Sequence, residues 1–233
     1  MREAGKRLAH VHQELEAMIA PGISTWEIDA KGEKLIRDCG CIPNFLHYNG
    51  YPASICVSVN DEVVHGIPRK DRYLKEGDIV SLDAGLIYKG YHSDAARTHA
   101  VGKVSTEAQK LMDVTKQSFF EGIKMAKEGQ HLHDISRAIE EYVTPYGYGI
   151  VRDLVGHGIG TALHEDPQIP NYAQKRRGVR LQAGMTLAIE PMINAGTWQV
   201  RKDGKLFLPA TVVRADDGVL SFEGPAGHYE CFR

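Results

Sequence analysis

Apolar residues recur at three- and four-residue steps from Ala4 through Leu8, Val11, Leu15 and Met18, and Pro21-Gly22 ends the pattern. That spacing puts the apolar side chains on one face of a helix, and the Pro-Gly pair stops it. Ser24-Thr25-Trp26-Glu27 has the Ser-x-x-Glu form of a capping box, and Ile28, Leu35, Ile36 and Cys39 carry a second amphipathic stretch ending at Gly40. Extended segments follow. Ser54 to Val59, Asp78 to Leu82, Leu86 to Tyr91 and Arg97 to Val101 alternate or cluster β-branched residues between turn signals.

The same order then returns. A long helical stretch from Glu107 to Lys127, a break at Gly129 and a shorter helix from Leu132 to Val143 precede further extended segments. The correspondence has a fixed offset of 107 residues: Gly22 maps to Gly129, Ile28 to Ile135, Ile36 to Val143, Gly40 to Gly147 and Leu74 to Leu181. Gly77 to Asp83 falls on Gly184 to Glu190 in this register, so a carboxylate is expected to end the same strand in both copies. The chain therefore reads as an α+β protein built from two pseudo-repeats, about 1–105 and 106–233. If the halves pack about a pseudo-twofold axis, Asp83 and Glu190 come together, and two such carboxylates coexist only with a bound cation or a shared proton.

Composition narrows the classes. At 233 residues, with 42% hydrophobic and 25% charged, the chain is an ordinary globular protein rather than a coiled coil or a disordered tail. Lys and Arg total 28 against 30 acids, a net charge of -2, so no specific nucleic-acid or membrane partner is expected. The clusters Arg69-Lys70-Asp71-Arg72 and Lys175-Arg176-Arg177 are read as solvated faces, with docking beside ribosomal RNA as the alternative. The N-terminus has no signal-like apolar run and no stretch is long enough to span a bilayer, so the expected location is cytoplasmic. Cys39, Cys41, Cys56 and Cys231 show no CxxC spacing, which excludes a zinc ribbon and suits reduced thiols.

Candidate chemistry gathers at a few acids and one imidazole. Asp94 lies eleven residues after Asp83, a distance at which a strand, a turn and a return strand can face two acids toward each other. His157 stands between glycines in Gly156-His157-Gly158-Ile159-Gly160, and Glu190-Pro191-Met192 supplies a third carboxylate. Three carboxylates and an imidazole suit Mn, Fe, Co or Zn, whereas structural zinc favours thiolates.

Five segments in order, Val59 to Pro68, the Asp83 and Asp94 pair, Gly156 to Gly160, His164 to Pro167, and Gly184 to Thr186 with Ile189 to Met192, resemble bacterial type I methionine aminopeptidase. The resemblance runs from the first helix to about Val200. It implies one catalytic domain over 1–233 with the duplicated pita-bread fold, a curved antiparallel sheet covered by two pairs of helices. It further implies two divalent ions (Co, Mn, Fe or Zn) held by Asp83, Asp94, His157, Glu190 and a last glutamate. The implied reaction is metal-activated water attack that removes the initiator methionine from nascent polypeptide N-termini. Glu190 would shuttle the water's proton, and His65 and His164 would contact the peptide and steady the tetrahedral intermediate. Tyr48, Tyr51, Cys56 and Leu163 fall where the family receives the methionine side chain, and the family resembles monomers.

The end of the chain departs from the pattern. Ser221-Phe222-Glu223 and His228-Tyr229-Glu230 both offer an aromatic-Glu pair, and Glu230 matches one more position. Only Cys231, Phe232 and Arg233 follow it, too few for the further strand that the family carries. Two alternatives stay open: a metallopeptidase of the same fold that prefers Xaa-Pro bonds, against which Tyr51 and Cys56 favour methionine, and, because of the atypical tail over about 201–233, a catalytically impaired peptide-binding protein.

Overall fold

In the computed structural model, backbone is described for residues 1–203, 206–209, 213–214, 219–224 and 227–232, and side chains for residues 1–202. Two compact units divide the chain, the first built on Met1–Ser105 and Ile159–Leu163, the second on Thr106–Gly158 and His164–Arg201.

The first unit opens with helices α1 (Arg2–Glu16) and α2 (Thr25–Asp38). The capping box forms as the sequence suggests: the Glu27 amide donates to Ser24 Oγ at 3.2 Å, and the Ser24 amide donates to Glu27 Oε2 at 2.9 Å. Each of these bonds satisfies a backbone or side-chain group that the first helical turn leaves without a partner. Four strands follow, β1 (Ile42–Pro43), β2 (Ile55–Val59), β3 (Ile79–Tyr88) and β4 (Tyr91–Ala100). All pairings are antiparallel, with β3 flanked by β4 on one side and by β2 and β1 on the other.

The short extended pieces expected around Asp78–Leu82, Leu86–Tyr91 and Arg97–Val101 are in fact two ten-residue strands of one hairpin. Its turn is Lys89-Gly90, with φ of 50° and 82°, the left-handed pair that matches the twist of a tight hairpin. The pattern broke at Asp83–Gly85 and His92–Ala96 because polar residues stand there. A strand paired through its backbone on both sides needs apolar residues only on the face that is covered.

That covered face is clear from parity. Val80, Leu82, Ala84 and Leu86 alternate along β3 and join Ile55, Val57 and Val59 of β2 in a buried cluster with Leu8, Val11, Leu15, Ile28 and Ile36 of the helices. Burying each such side chain contributes about 1.5–3 kcal/mol. Gly32 of α2 lets the helix approach β2, since a Cβ there would lie 2.5 Å from the Ile55 side chain.

The second unit repeats the plan with α3 (Thr106–Met125) and α4 (Leu132–Val143), then the short strands β5 (Gly149–Ile150), β6 (Gly156–Gly158), β7 (Glu165–Ile169), β8 (Leu187–Ala188) and β9 (Ile193–Asn194). The 107-residue offset carries down to single bonds. Gly22 donates to the Leu74 carbonyl at 2.8 Å, and Gly129 to that of Leu181 at 3.0 Å. The isolated bridge Ser24–Tyr73 has its counterpart in His131–Arg180, and the His131 amide donates to Asp134 Oδ2 at 3.0 Å as Ser24 does to Glu27. The unit's own core joins Val114, Leu132, Ile135, Ile139 and Val143 to Ile150, Ile169 and Leu181.

The repeats diverge in their strands. The counterpart of the ten-residue β3 is the two-residue β8, which pairs with β6 and stops before Glu190-Pro191, where proline supplies no donor for a ladder. Beyond it run β10 (Val200–Asp203), β11 (Leu206–Pro209), β12 (Val213–Arg214), β13 (Val219–Gly224) and β14 (Gly227–Phe232). The backbone around Glu230 pairs antiparallel with β13, Glu230 opposite Ser221 and His228 opposite Glu223. The side chains of Glu223 and Glu230 lie outside the described residues.

Candidate metal centre

Within the first unit the two aspartates share one face of the sheet. Asp83 stands opposite Ala96 and Asp94 opposite Gly85, so the acids are diagonal neighbours on β3 and β4. Cys56 lies directly across from Asp83 on β2 and therefore faces the same way, opposite to the helix-covered core. Asp83 does not end its strand, as its sequence context suggested, but sits in the middle of β3. The ladder to β4 continues past it to Tyr88 because Gly85 and Leu86 find partners in Asp94 and Ser93.

The β4 backbone on the far side of Asp94 is held in place. His12, buried in α1, faces the Ala95 carbonyl through Nε2 at 2.8 Å, and Asn44 Nδ2 donates to the Ser93 carbonyl at 3.3 Å. Burial lowers the His12 pKa from 6.5 to about 4, so the imidazole is neutral near pH 7.

In the second unit His157 lies on β6 between two glycines that the packing demands. A Cβ at Gly156 would fall 2.3 Å from the Ala188 carbonyl oxygen, and one at Gly158 2.2 Å from that of Asp166. His157 Nδ1 lies 2.8 Å from the Gly158 carbonyl oxygen, an acceptor only, so Nδ1 carries the proton. Nε2 then faces Glu190 Oε1 at 3.1 Å. The main chain at Glu190 is fixed by the fully buried Asn171, whose Nδ2 donates to the Glu190 carbonyl at 2.6 Å. The exposed His164 sets its ring 4.2 Å from that of His157, centroid to centroid.

This pair fits a divalent ion. A neutral imidazole nitrogen and a carboxylate oxygen both present lone pairs, so a cation or a shared proton must stand between them. Two ligand atoms about 2.1 Å from one ion, at tetrahedral or octahedral angles, are about 3.0–3.4 Å apart, which includes the observed separation. The Nδ1 bond to a carbonyl is the usual support for a histidine that binds metal through its other nitrogen.

Three of the four expected methionine-pocket residues do come together. Tyr51, Cys56 and Leu163 form a buried cluster with Phe45, Ala53 and Ile159, and Met1 packs against it. The 159–163 loop is tied to this unit by the His92 amide, which donates to the Gly160 carbonyl at 2.8 Å. Tyr48 is 38% exposed in a short helical turn, its amide donating to the Phe45 carbonyl and its carbonyl accepting from the Tyr51 amide, both at 2.9 Å. Phe45 and Ile159 were missed by the sequence reading, although Phe45 lies three residues from Tyr48 and Ile159 inside the glycine-rich motif. Tyr51 Oη donates to the Gly66 carbonyl at 2.7 Å, and burial, with Asp83 nearby, pushes the Cys56 thiol well above its ordinary pKa.

His65 is exposed and carries φ of 62°, a strained value for a residue with a side chain. The cause is its neighbour. Gly66 is stitched to β2 by its amide to Ser58 Oγ at 3.0 Å and by its carbonyl to Val57 N at 2.9 Å, which turns the His65 side chain outward.

Among the described residues no helix is long and apolar enough to cross a membrane. Residues 1–220 match Metallopeptidase family M24. A methionine aminopeptidase of Clostridium acetobutylicum is 50% identical over 99% of this chain and 88% of its own length. Methionine aminopeptidase 1 of Bacillus subtilis is 52% identical over 86% and 81%. The crystal structure of a methionine aminopeptidase from Thermotoga maritima superposes with a TM-score of 0.87 at 40% identity, covering 99% of this chain and 94% of that one. Antiparallel sheets, helix pairs and the internal duplication agree with the pita-bread fold of that family. The chain belongs to metallopeptidase family M24 and, within it, to the type I methionine aminopeptidases.

Proposed function

We propose that this chain is a metal-dependent aminopeptidase that removes the initiator methionine from nascent polypeptides, acting as one catalytic domain made of its two repeats. The reading rests on the His157–Glu190 pair, in which an imidazole nitrogen and a carboxylate oxygen converge at 3.1 Å, a separation that suits two ligands of one cation. His157 and Glu190 of the second unit are proposed as ligands of this centre, together with Asp94 of the first. Asp83, on the same sheet face as Asp94, and Glu230 complete a set for two divalent ions among Co, Mn, Fe and Zn.

Ions held by these residues would supply a water of lowered pKa and a Lewis acid for the scissile carbonyl. Around that chemistry the chain's own groups act. Glu190 accepts the proton of the attacking water and returns it to the leaving amine. His65 and His164, both exposed, hydrogen-bond the peptide beside the scissile bond and stabilise the oxyanion. Tyr51, Cys56 and Leu163, with Tyr48 at the rim, receive the methionine side chain. A neutral thiol and an aromatic face suit a polarisable thioether. The substrate places the enzyme in the cytoplasm, as a monomer working on chain ends that leave the ribosome.

The test is hydrolysis of Met-Ala-Ser against a Xaa-Pro peptide, with metal removed by chelation and restored one ion at a time. Cleavage of the methionyl peptide alone, lost on chelation and regained with metal, is expected. Preference for the Xaa-Pro peptide, or no cleavage with any of the four ions, overturns the reading.

A further inference from the structure

Within the second unit an open groove of about 540 Å³ is lined by His133, Glu140, Arg152, Tyr172, Lys175 and Arg176, among others. Its size is that of a small-molecule site. Three cations line it, and among the described residues none of the three is in an ion pair, whereas the adjacent Arg177 is neutralised by Asp134 at 2.6 Å. The basic cluster is exposed, as a solvated face would be; within it Arg177 pairs with Asp134, and Lys175 and Arg176 line the groove.

The cations are held, not merely gathered. The segment that carries Lys175 and Arg176 is pinned to α4 at three points. Glu140 accepts from the Ala173 amide at 3.0 Å, His133 Nδ1 donates to the Arg176 carbonyl at 2.6 Å, and Asp134 binds Arg177. Arg152 is fixed by stacking, its guanidinium carbon 5.2 Å from the Tyr172 ring centroid and 4.9 Å from that of Trp198. A guanidinium beside aromatic rings still offers N–H donors in a fork that suits a bidentate acceptor.

We propose that this groove binds a phosphate group, free or as a small phosphate monoester. The oxyanion sits on the edge of Arg152 and between Lys175 and Arg176, while Glu140 stands at the α4 side, where it repels a bare anion but accepts from a hydroxyl carried by an ester. Calorimetric titration at low ionic strength with inorganic phosphate, AMP, adenosine and a short RNA oligonucleotide tests this on the whole protein. Saturable binding of phosphate or AMP and none of adenosine is expected. It should weaken about tenfold or more in Arg152→Gln/Arg176→Gln and in the single Lys175→Gln, as loss of a charge-assisted hydrogen bond implies, and should be unchanged in the charge-matched Lys31→Gln/Lys34→Gln. The preference between phosphate and AMP identifies the source of the group. Lys175 is exposed, so that variant separates lost binding from lost folding. No saturable binding, binding unaltered in the groove variants, or binding of an RNA oligonucleotide alone overturns the proposal. Cleavage of a methionyl tripeptide by the same variants is expected to be unchanged, which keeps this result separate from that of the metal centre.

Discussion

His157 Nε2 and Glu190 Oε1 lie 3.1 Å apart although 33 positions separate the two residues, and the Gly158 carbonyl fixes which imidazole nitrogen faces the carboxylate. Two lone-pair donors held so close are stable only when a positive charge joins them. His157→Ala should therefore lower methionyl-peptide kcat/KM by about 10²- to 10³-fold and reduce the metal retained after gel filtration. Glu190→Gln, which keeps the shape and removes the charge, should lower kcat more than it raises KM. Unchanged metal content and activity in His157→Ala would refute the assignment.

The support behind Glu190 gives a graded effect. Asn171→Ala removes the donor to the Glu190 carbonyl and should cost about 10- to 100-fold in metal affinity or activity, the range for residues that orient a ligand. Metal titration of the variant against the parent measures it.

Stability should depend on pH through His12. Its folded pKa, about 4, lies below the unfolded value of 6.5, chiefly because burial disfavours the charged ring. The sign follows from proton uptake: between pH 6.5 and 4 the unfolded chain binds the proton and the folded chain does not, so acid destabilises. The contribution is complete above 6.5, falls by up to about 3 kcal/mol as pH drops to 4, and then levels off. Urea midpoints across this range should fall in the parent and flatten in His12→Gln, whose amide can still donate to the Ala95 carbonyl.

Gly66 should tolerate no side chain. A Cβ there would lie 2.2 Å from the Val57 carbonyl oxygen, an atom of the β2 backbone that cannot swing away. Gly66→Ala should destabilise by about 1–3 kcal/mol or more and displace His65. Chemical denaturation reads the first effect, and a raised KM for methionyl peptides the second.

Thiol reactivity should follow burial. Cys39 is half-buried, while Cys56 is buried and its thiol is held protonated well above the usual range. Peptide mapping after brief iodoacetamide treatment of the native protein should find Cys39 modified and Cys56 intact, with Cys56 labelled only after unfolding.

The helices and the duplication were legible in the chain because both are local or periodic. Apolar spacing fixes a helix face within a few turns, and the pairs Gly22 and Gly129 or Gly40 and Gly147 recur where the backbone needs φ between 68° and 92°. The family motifs named most of the candidate ligands before any geometry was known. Three things depended on tertiary structure. The hairpin of β3 and β4 ran through Asp83 and Asp94 because backbone pairing does not register in side-chain polarity, so its length was hidden. The buried cluster of Tyr51, Cys56 and Leu163 also holds Phe45 and Ile159, because packing joins residues far apart in sequence. The Lys175–Arg177 cluster divided into one neutralised arginine and two groove-lining cations because ion pairing is a matter of distance, which a list of residues does not contain.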